Sequence, residues 1–107
     1  MQTIDRDSLK QRLADGDDFK LVMTLPDWAF RAAHIPGSLN IASTDELVGQ
    51  LDVDDDIVVY CSDAACIASQ LAYRELDARG YQHVVRYEGG LSDWTDAGYP
   101  LEGTGFD

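Results

Sequence analysis

Two cysteines lie five positions apart where an apolar run of the sequence ends. Cys61 follows the segment IVVY, and Cys66 precedes the helical pattern IASQLAYREL. This spacing is wider than the Cys-x-x-Cys pair of thioredoxin-type redox motifs. Four interpretations are open at this point: a nucleophile with a partner, a disulfide, half of a metal site, or two buried thiols without chemistry.

The position of Cys61 favours a nucleophile. Residues 57–60 are continuously apolar and rich in β-branched side chains, as expected for a central strand covered on both faces. Open α/β sheets bind ligands at the carboxyl ends of their strands. The loop after Cys61 leads into a helix, so its N–H groups and the helix dipole would lower the pKa of a thiol placed there. The alternative is a small buried apolar residue at a strand end.

Short apolar runs alternate with helical patterns along the chain. The predicted strands lie near residues 2–4, at 19–23, in a short run ending near 41, at 57–60 and at 83–87. The predicted helices are DRDSLKQRLADG, PDWAFRAA, STDELVGQL, the segment that starts near Cys66, and LSDWTDAG. Strands that alternate with helices predict an α/β fold, with a central parallel sheet and helices on both faces.

Several details of these elements are specific enough to check. Ser43 and Glu46 have the spacing of a capping box at a helix start. One buried helix face is predicted after the cysteines, formed by Ile67, Ala68, Leu71, Ala72 and Leu76. The core is predicted to include the aromatic residues Trp28, Phe30 and Trp94.

Composition limits the classes of partner. A chain of 107 residues suits one domain spanning residues 1–107, and its net charge of −12 disfavours nucleic acid and anionic lipid as partners. The acidic surface predicts either a solvated shell of the halophilic type or a docking face for a basic partner. The N-terminus is polar, and no window approaches the roughly 20 apolar residues of a membrane span. We therefore expect a cytoplasmic protein whose cysteines are reactive or reduced rather than bridged.

Three motifs occur in the same order as in a known family. They are the HIPG turn at residues 34–37, a cysteine after an apolar strand, and the ending G-Y-x-x-V-x-x-x-E-G-G-x-x-x-W at residues 80–94. Over roughly residues 21–103, the chain resembles a single-domain rhodanese, a sulfurtransferase. The resemblance implies a rhodanese-like three-layer fold, with a parallel sheet of about five strands between helices.

The resemblance also implies a mechanism. Cys61 would take a sulfane sulfur from a donor as a persulfide and pass it to a thiol acceptor, without a metal or an organic cofactor. The amides around the added sulfur would come from the loop residues Ser62, Asp63, Ala64, Ala65 and Cys66. The donor and acceptor would be small molecules or a thioredoxin-like protein, and the chain a monomer or weak homodimer.

The loop sequence limits which activity of this fold is expected. A related phosphatase would resemble Cys-x5-Arg, in which an arginine holds phosphate, but Ile67 occupies that position. The Asp-x-Arg that the family usually carries after its second strand is replaced by residues 23–25, Met-Thr-Leu. Asp63 would repel a doubly charged donor such as thiosulfate, or would point outward, exposed to solvent or capping the helix that begins near Cys66. In either case no cationic group of the loop would recruit thiosulfate, so a neutral or protein-bound donor is favoured.

The second cysteine has two open interpretations. Cys66 would either resolve a persulfide on Cys61, leaving a disulfide, or pack as a small residue at the helix start. The alternative functions are accordingly a thiol–disulfide oxidoreductase that uses Cys61 and Cys66, and a catalytically weak protein-binding module. A zinc site is disfavoured because His34 and His83 do not match zinc-ligand spacing; His34 is expected to brace the HIPG turn. Arg86 and Glu88 are expected to form a surface pair.

Overall fold

The computed structural model describes residues 1–104 and contains, within that range, five strands and five helices. The strands are β1 (Thr3–Ile4), β2 (Lys20–Met23), β3 (Leu39–Asn40), β4 (Ile57–Tyr60) and β5 (Val84–Tyr87). The helices are α1 (Arg6–Ala14), α2 (Asp27–Ala32), α3 (Thr44–Gln50), α4 (Ala68–Ala78) and α5 (Gly90–Asp96). Strands and helices alternate along the chain, as predicted.

The strands form one sheet in the order β1-β5-β4-β2-β3, and all neighbouring strands are parallel. Strand β4 is central and pairs with both β2 and β5. In its register Val58 lies opposite Leu21 on one side and Val85 on the other. The carboxyl ends of β2, β4 and β5 therefore meet at one edge of the sheet, where Cys61 follows β4.

Two hydrophobic clusters cover the two faces of the sheet. Ile57 and Val59 of β4 pack in the cluster that includes residues of α3 and α4. Val58 and Tyr60 pack in the opposite cluster, with Leu9 of α1 and Trp94 of α5. This alternation is the period of two of a pleated strand, and it confirms the predicted helices on both faces.

Two helices begin with a side-chain cap, and one of these caps was predicted. The Ser43 hydroxyl accepts a hydrogen bond from the Glu46 amide at 3.3 Å, so the predicted start of α3 is confirmed. Asp5 caps α1 by accepting from the Ser8 amide at 2.7 Å. Each cap satisfies a backbone N–H that has no partner within its own helix.

Three residues predicted to be buried are exposed instead. Trp28 is 71% exposed, because the six-residue helix α2 buries none of its side chains fully. Ile67 and Leu71 are 65% and 55% exposed, since α4 turns Ser69, Ala72 and Leu76 toward the sheet. The prediction for Trp94 is confirmed, and Phe30 is partly buried. Among the described residues, no helix has the length and apolar composition needed to cross a membrane.

Candidate active site

Cys61 occupies the first position after β4 and is 1% exposed. The neighbouring Thr24, directly after β2, is also buried, and both its amide and its hydroxyl donate to the Tyr60 carbonyl, at 3.0 and 3.2 Å. Thr24 is the middle residue of the segment that replaces the family's usual Asp-x-Arg. Here it ties the end of β2 to the residue before the cysteine.

Cys61 and Cys66 are joined by a disulfide, with their Cα atoms 6.3 Å apart. This separation lies within the usual range for bridged cysteines. The expectation that the two thiols are not bridged is therefore contradicted, because the structure holds them as a disulfide. The bond closes residues 61–66 into a ring at the carboxyl edge of the sheet, and it brings together the two cysteines that the sequence singled out.

Asp63 stabilises a turn inside this loop. Its carboxylate accepts from the Ala65 amide at 3.0 Å, and its carbonyl accepts from the Cys66 amide at 3.2 Å. The predicted capping of the following helix by Asp63 is wrong, because α4 begins after Ile67 and has no side-chain cap. Asp63 is instead exposed, which agrees with the expected alternative that its side chain points to solvent.

Several loop amides have no partner within the described chain. The N–H groups of Ser62, Asp63 and Ala64 donate to no oxygen of residues 1–104. Together with the uncapped start of α4, they are backbone donors near the cysteines that the described chain leaves without an acceptor.

Helix α5 packs against the other side of the loop through backbone contacts. The amides of Leu91 and Ser92 donate to the carbonyls of Cys61 and Ser62, at 2.9 and 2.8 Å. Gly90 has a φ of +67°, and a Cβ atom there would lie 2.7 Å from the Cys61 carbonyl oxygen and 2.9 Å from the Asp63 nitrogen. This approach explains why a glycine stands here in the Glu-Gly-Gly motif.

Arg86, on strand β5, contacts the cysteine loop through its guanidinium group. It is 4% exposed, and its Nε donates to the Ser69 hydroxyl at 2.9 Å. Its Nη2 donates to the carbonyls of Ala64 and Cys66, at 3.1 and 3.4 Å. The predicted surface pair with Glu88 is wrong. Alternation along β5 could have revealed this, because Arg86 lies two residues after the core residue Val84 and so shares its face.

The HIPG turn holds the side chain of Tyr60, the last residue of β4 and the one before Cys61. The Tyr60 hydroxyl accepts from the Ile35 amide at 3.1 Å and lies 2.8 Å from the Ser38 hydroxyl. Burial raises the pKa of Tyr60 to about 12, so its hydroxyl stays protonated. His34 stacks on the Phe30 ring and its Nδ1 lies 2.7 Å from the Phe30 carbonyl. His34 thus braces the turn, as expected.

A small cleft of about 180 Å³ lies between the end of β2, α3 and α4. No charged side chain lines it, although the chain has 20 acidic residues. Its lining consists of Thr24, Ile41, Ala42, Ser43, Leu47, Ala68, Leu71 and Ala72. The cleft reaches the cysteine loop through Thr24, which contacts the residue before Cys61, and Ala68, two residues after Cys66.

With this geometry in place, comparison with known proteins identifies the family. The family model described as Rhodanese-like domain matches residues 5–97. The chain belongs to the rhodanese-like domain family. This rhodanese-like domain is 32% identical over 100 residues to a sulfurtransferase of Allochromatium vinosum, and the match covers 92% of each chain.

Two further comparisons define the relationship. The domain is 35% identical over 93 residues to an HTH-type transcriptional regulator of Mycobacterium tuberculosis; the match covers 85% of this chain but spans only 41% of the regulator's length. Its fold is similar to the solution structure of the rhodanese-like domain of an Anabaena protein. That match has a TM-score of 0.87 and 28% identity, covering 98% of this chain and 81% of the other. The expected fold class is confirmed.

Proposed function

We propose that this rhodanese-like domain is a sulfurtransferase that carries sulfur as a persulfide on Cys61. The observation that carries the proposal is the place of Cys61, at the carboxyl end of the central strand and beside three loop amides without a partner in the described chain. The family membership and the sulfurtransferase relative support the same class of reaction. In this proposal residues Ser62 to Cys66 surround the transferred sulfur.

The proposed reaction has two balanced steps. The Cys61 thiolate attacks the sulfane sulfur of a donor; a sulfur–sulfur bond forms, and the donor's remaining group leaves with the electron pair. An acceptor thiolate then attacks the outer sulfur of the persulfide, and Cys61 leaves as a thiolate again. The loop amides stabilise the negative sulfur in both steps by hydrogen bonding.

The surroundings of the loop favour an uncharged or protein-bound sulfane donor. Asp63 is exposed in the loop, and no basic side chain belongs to residues 61–66. A carboxylate beside the site repels a dianion such as thiosulfate more strongly than a neutral or singly charged persulfide. The uncharged cleft beside the loop would accept an apolar part of such a donor.

Intact-mass measurement tests the proposal. Reduced wild type, Cys61→Ala and Cys66→Ala are each treated with a sulfane-sulfur donor and then freed of excess donor. Wild type and Cys66→Ala are expected to gain about 32 Da, one sulfur atom, whereas Cys61→Ala is not. Absence of the adduct in both proteins that retain Cys61 would contradict a persulfide-carrying role.

The Cys61–Cys66 disulfide favours a second candidate function, thiol–disulfide exchange. In that case the Cys66 thiolate attacks the inner sulfur of the persulfide, the disulfide forms, and hydrosulfide leaves; an external dithiol then reduces the bond. The Cys66→Ala variant separates the two functions. Sulfur transfer requires only Cys61, so Cys66→Ala retains turnover with a thiol acceptor. An oxidoreductase requires both thiols and would lose all activity when either cysteine is replaced.

A further inference from the structure

Arg86 is a buried cation whose contacts are all neutral. Its three hydrogen bonds go to one hydroxyl and two carbonyl oxygens. Among the described residues, the arginines with an ion pair within 4.0 Å are Arg6, Arg12, Arg31 and Arg79, whereas the exposed Arg74 and the buried Arg86 have none. Buried charges in proteins are ordinarily paired with an opposite charge, since an isolated one is costly.

The contacts place this cation under the cysteine loop. The two carbonyls that it binds belong to Ala64 and to Cys66, the residue bonded to Cys61. We propose that Arg86 is a positioning residue whose charge is balanced by the anionic sulfur of Cys61, as thiolate or as persulfide. The inference deepens the proposed sulfur transfer, on which its functional meaning rests.

The guanidinium acts on the loop in two ways. Its positive charge favours the ionised form of a nearby thiol, and burial keeps that interaction from being screened by solvent. Its hydrogen bonds also fix two peptide planes. Because the C=O and N–H of a trans peptide point in opposite directions, holding the carbonyls of Ala64 and Cys66 also sets the direction of the Ala65 and Ile67 amides, and the Ala65 amide donates to Asp63 at 3.0 Å.

The other charged and titratable groups around Cys61 do not replace this role. Within the loop, Asp63 is an exposed anion and opposes ionisation of the thiol. On α5, Asp93 is already engaged by Arg6 at 3.1 Å and by the Tyr87 hydroxyl at 2.7 Å. On β4, the Tyr60 hydroxyl is held in the HIPG turn. Arg86 is thus the cation that the described contacts bring to the loop.

The test measures the pKa of the Cys61 thiol without any sulfur donor. The chain has two cysteines, so Cys66→Ala leaves Cys61 as the single thiol. Arg86→Met is compared in this background with Arg74→Met, which removes an equal charge from an exposed position of α4. The pKa is read from the ultraviolet absorbance of the thiolate and from the pH dependence of alkylation by iodoacetamide.

Arg86→Met is expected to raise the thiol pKa by about one unit, which means roughly tenfold less thiolate below the pKa. Arg74→Met is expected to shift it by less than about 0.3 unit, because exposed charges are screened. Arg86→Lys keeps the positive charge but loses the planar guanidinium and its several donors. The pKa of the Cys61 thiol in this variant should stay within about half a unit of its value in the Cys66→Ala parent. Where Arg86→Met does not fold by circular dichroism, Arg86→Gln replaces it with the same expectation.

An unchanged thiol pKa in the folded neutral variant would overturn the inference, as would an equal shift in Arg74→Met. A shift in Arg86→Lys as large as that of the neutral variant would also overturn it, because loop geometry alone would then account for the effect. These outcomes are independent of the persulfide measurement. Failure of the sulfur adduct would refute the proposed function without changing the thiol titration.

Discussion

The contact between α5 and the cysteine loop gives a sharp prediction for Gly90→Ala. An added Cβ would lie 2.7 Å from the Cys61 carbonyl oxygen and 2.9 Å from the Asp63 nitrogen, and both are backbone atoms that cannot rotate away. The residue would also be held at a φ of +67°. The variant is therefore expected to lose stability and to displace the loop that surrounds the proposed sulfur site.

The loss in free energy of unfolding expected for Gly90→Ala has two parts. A left-handed backbone costs a non-glycine residue about 1–2 kcal/mol. Overpacking against fixed atoms adds about 1–3 kcal/mol. Gly16→Ala isolates the first part, because Gly16 has a φ of +71° and nothing lies within 4 Å of its added Cβ. Gly90→Ala is thus expected to lose roughly 2–5 kcal/mol and the control only about 1–2 kcal/mol.

Urea unfolding of the reduced proteins gives both free energies of unfolding, and the mass assay gives the rate of sulfur loading on Cys61. We expect Gly90→Ala to load sulfur more slowly than wild type, because the carbonyl of Cys61 no longer meets the Leu91 amide at 2.9 Å. Gly16→Ala should load at the wild-type rate. Equal losses of stability in the two variants, with equal loading rates, would refute the argument that Gly90 is required by the loop.

Three other predictions concern single side chains. Burial raises the pKa of Tyr60 to about 12, so the folded state keeps a proton that the unfolded chain loses near pH 10. This contribution to the free energy of unfolding is complete below about pH 10 and is lost as the pH rises toward 12. The difference in free energy of unfolding between wild type and Tyr60→Phe, measured in urea, should therefore shrink by roughly 2 kcal/mol over that range. A constant difference would contradict the prediction. Asp63→Asn keeps an oxygen for the Ala65 amide but removes a charge, so loading from thiosulfate should rise by up to about tenfold at low salt and much less at high salt; an equal gain with an uncharged donor would argue against repulsion. Trp94→Phe removes the indole N–H that donates to the Pro100 carbonyl at 2.8 Å, and thermal unfolding should report a loss of about 1–3 kcal/mol, whereas an unchanged midpoint would mean that this bond adds nothing.

Local patterns in the sequence were sufficient for the fold class. The run at residues 57–60 predicted a central strand, and the Ser43–Glu46 spacing predicted the start of α3, because both depend on near neighbours. The strand order could not be derived in this way. Strand β1 joins the sheet beside β5, with Thr3 opposite Arg86, and nothing within either segment specifies so distant a partner.

The sequence motifs predict the position of the cysteine loop, but they do not predict the side chains that reach the loop through tertiary packing. Cys61 and its loop follow from the strand and the spaced motifs. The expected surface pair of Arg86 and Glu88 rests on their place beside the closing turn, whereas the position of Arg86 on the Val84 face of β5 indicates burial. Leu71 fits an apolar helical stripe, yet it is exposed because the polar Ser69 faces inward to meet Arg86. One buried cation thus changed the orientation expected for α4.

Four carbonyls of the cysteine loop are held from outside it, whereas the Asp63 carboxylate and the disulfide hold it from within. These carbonyls are fixed by amides of α5 at Cys61 and Ser62 and by Arg86 at Ala64 and Cys66. The residues that hold these four carbonyls therefore lie elsewhere in the sequence, and Ala64 and Ala65 are exposed residues with only a methyl side chain. In the proposed function, substitutions at these two positions would change what approaches the sulfur while the contacts that hold the loop's carbonyls stay intact. Choice of partner and reactivity of the thiol would then be able to evolve separately.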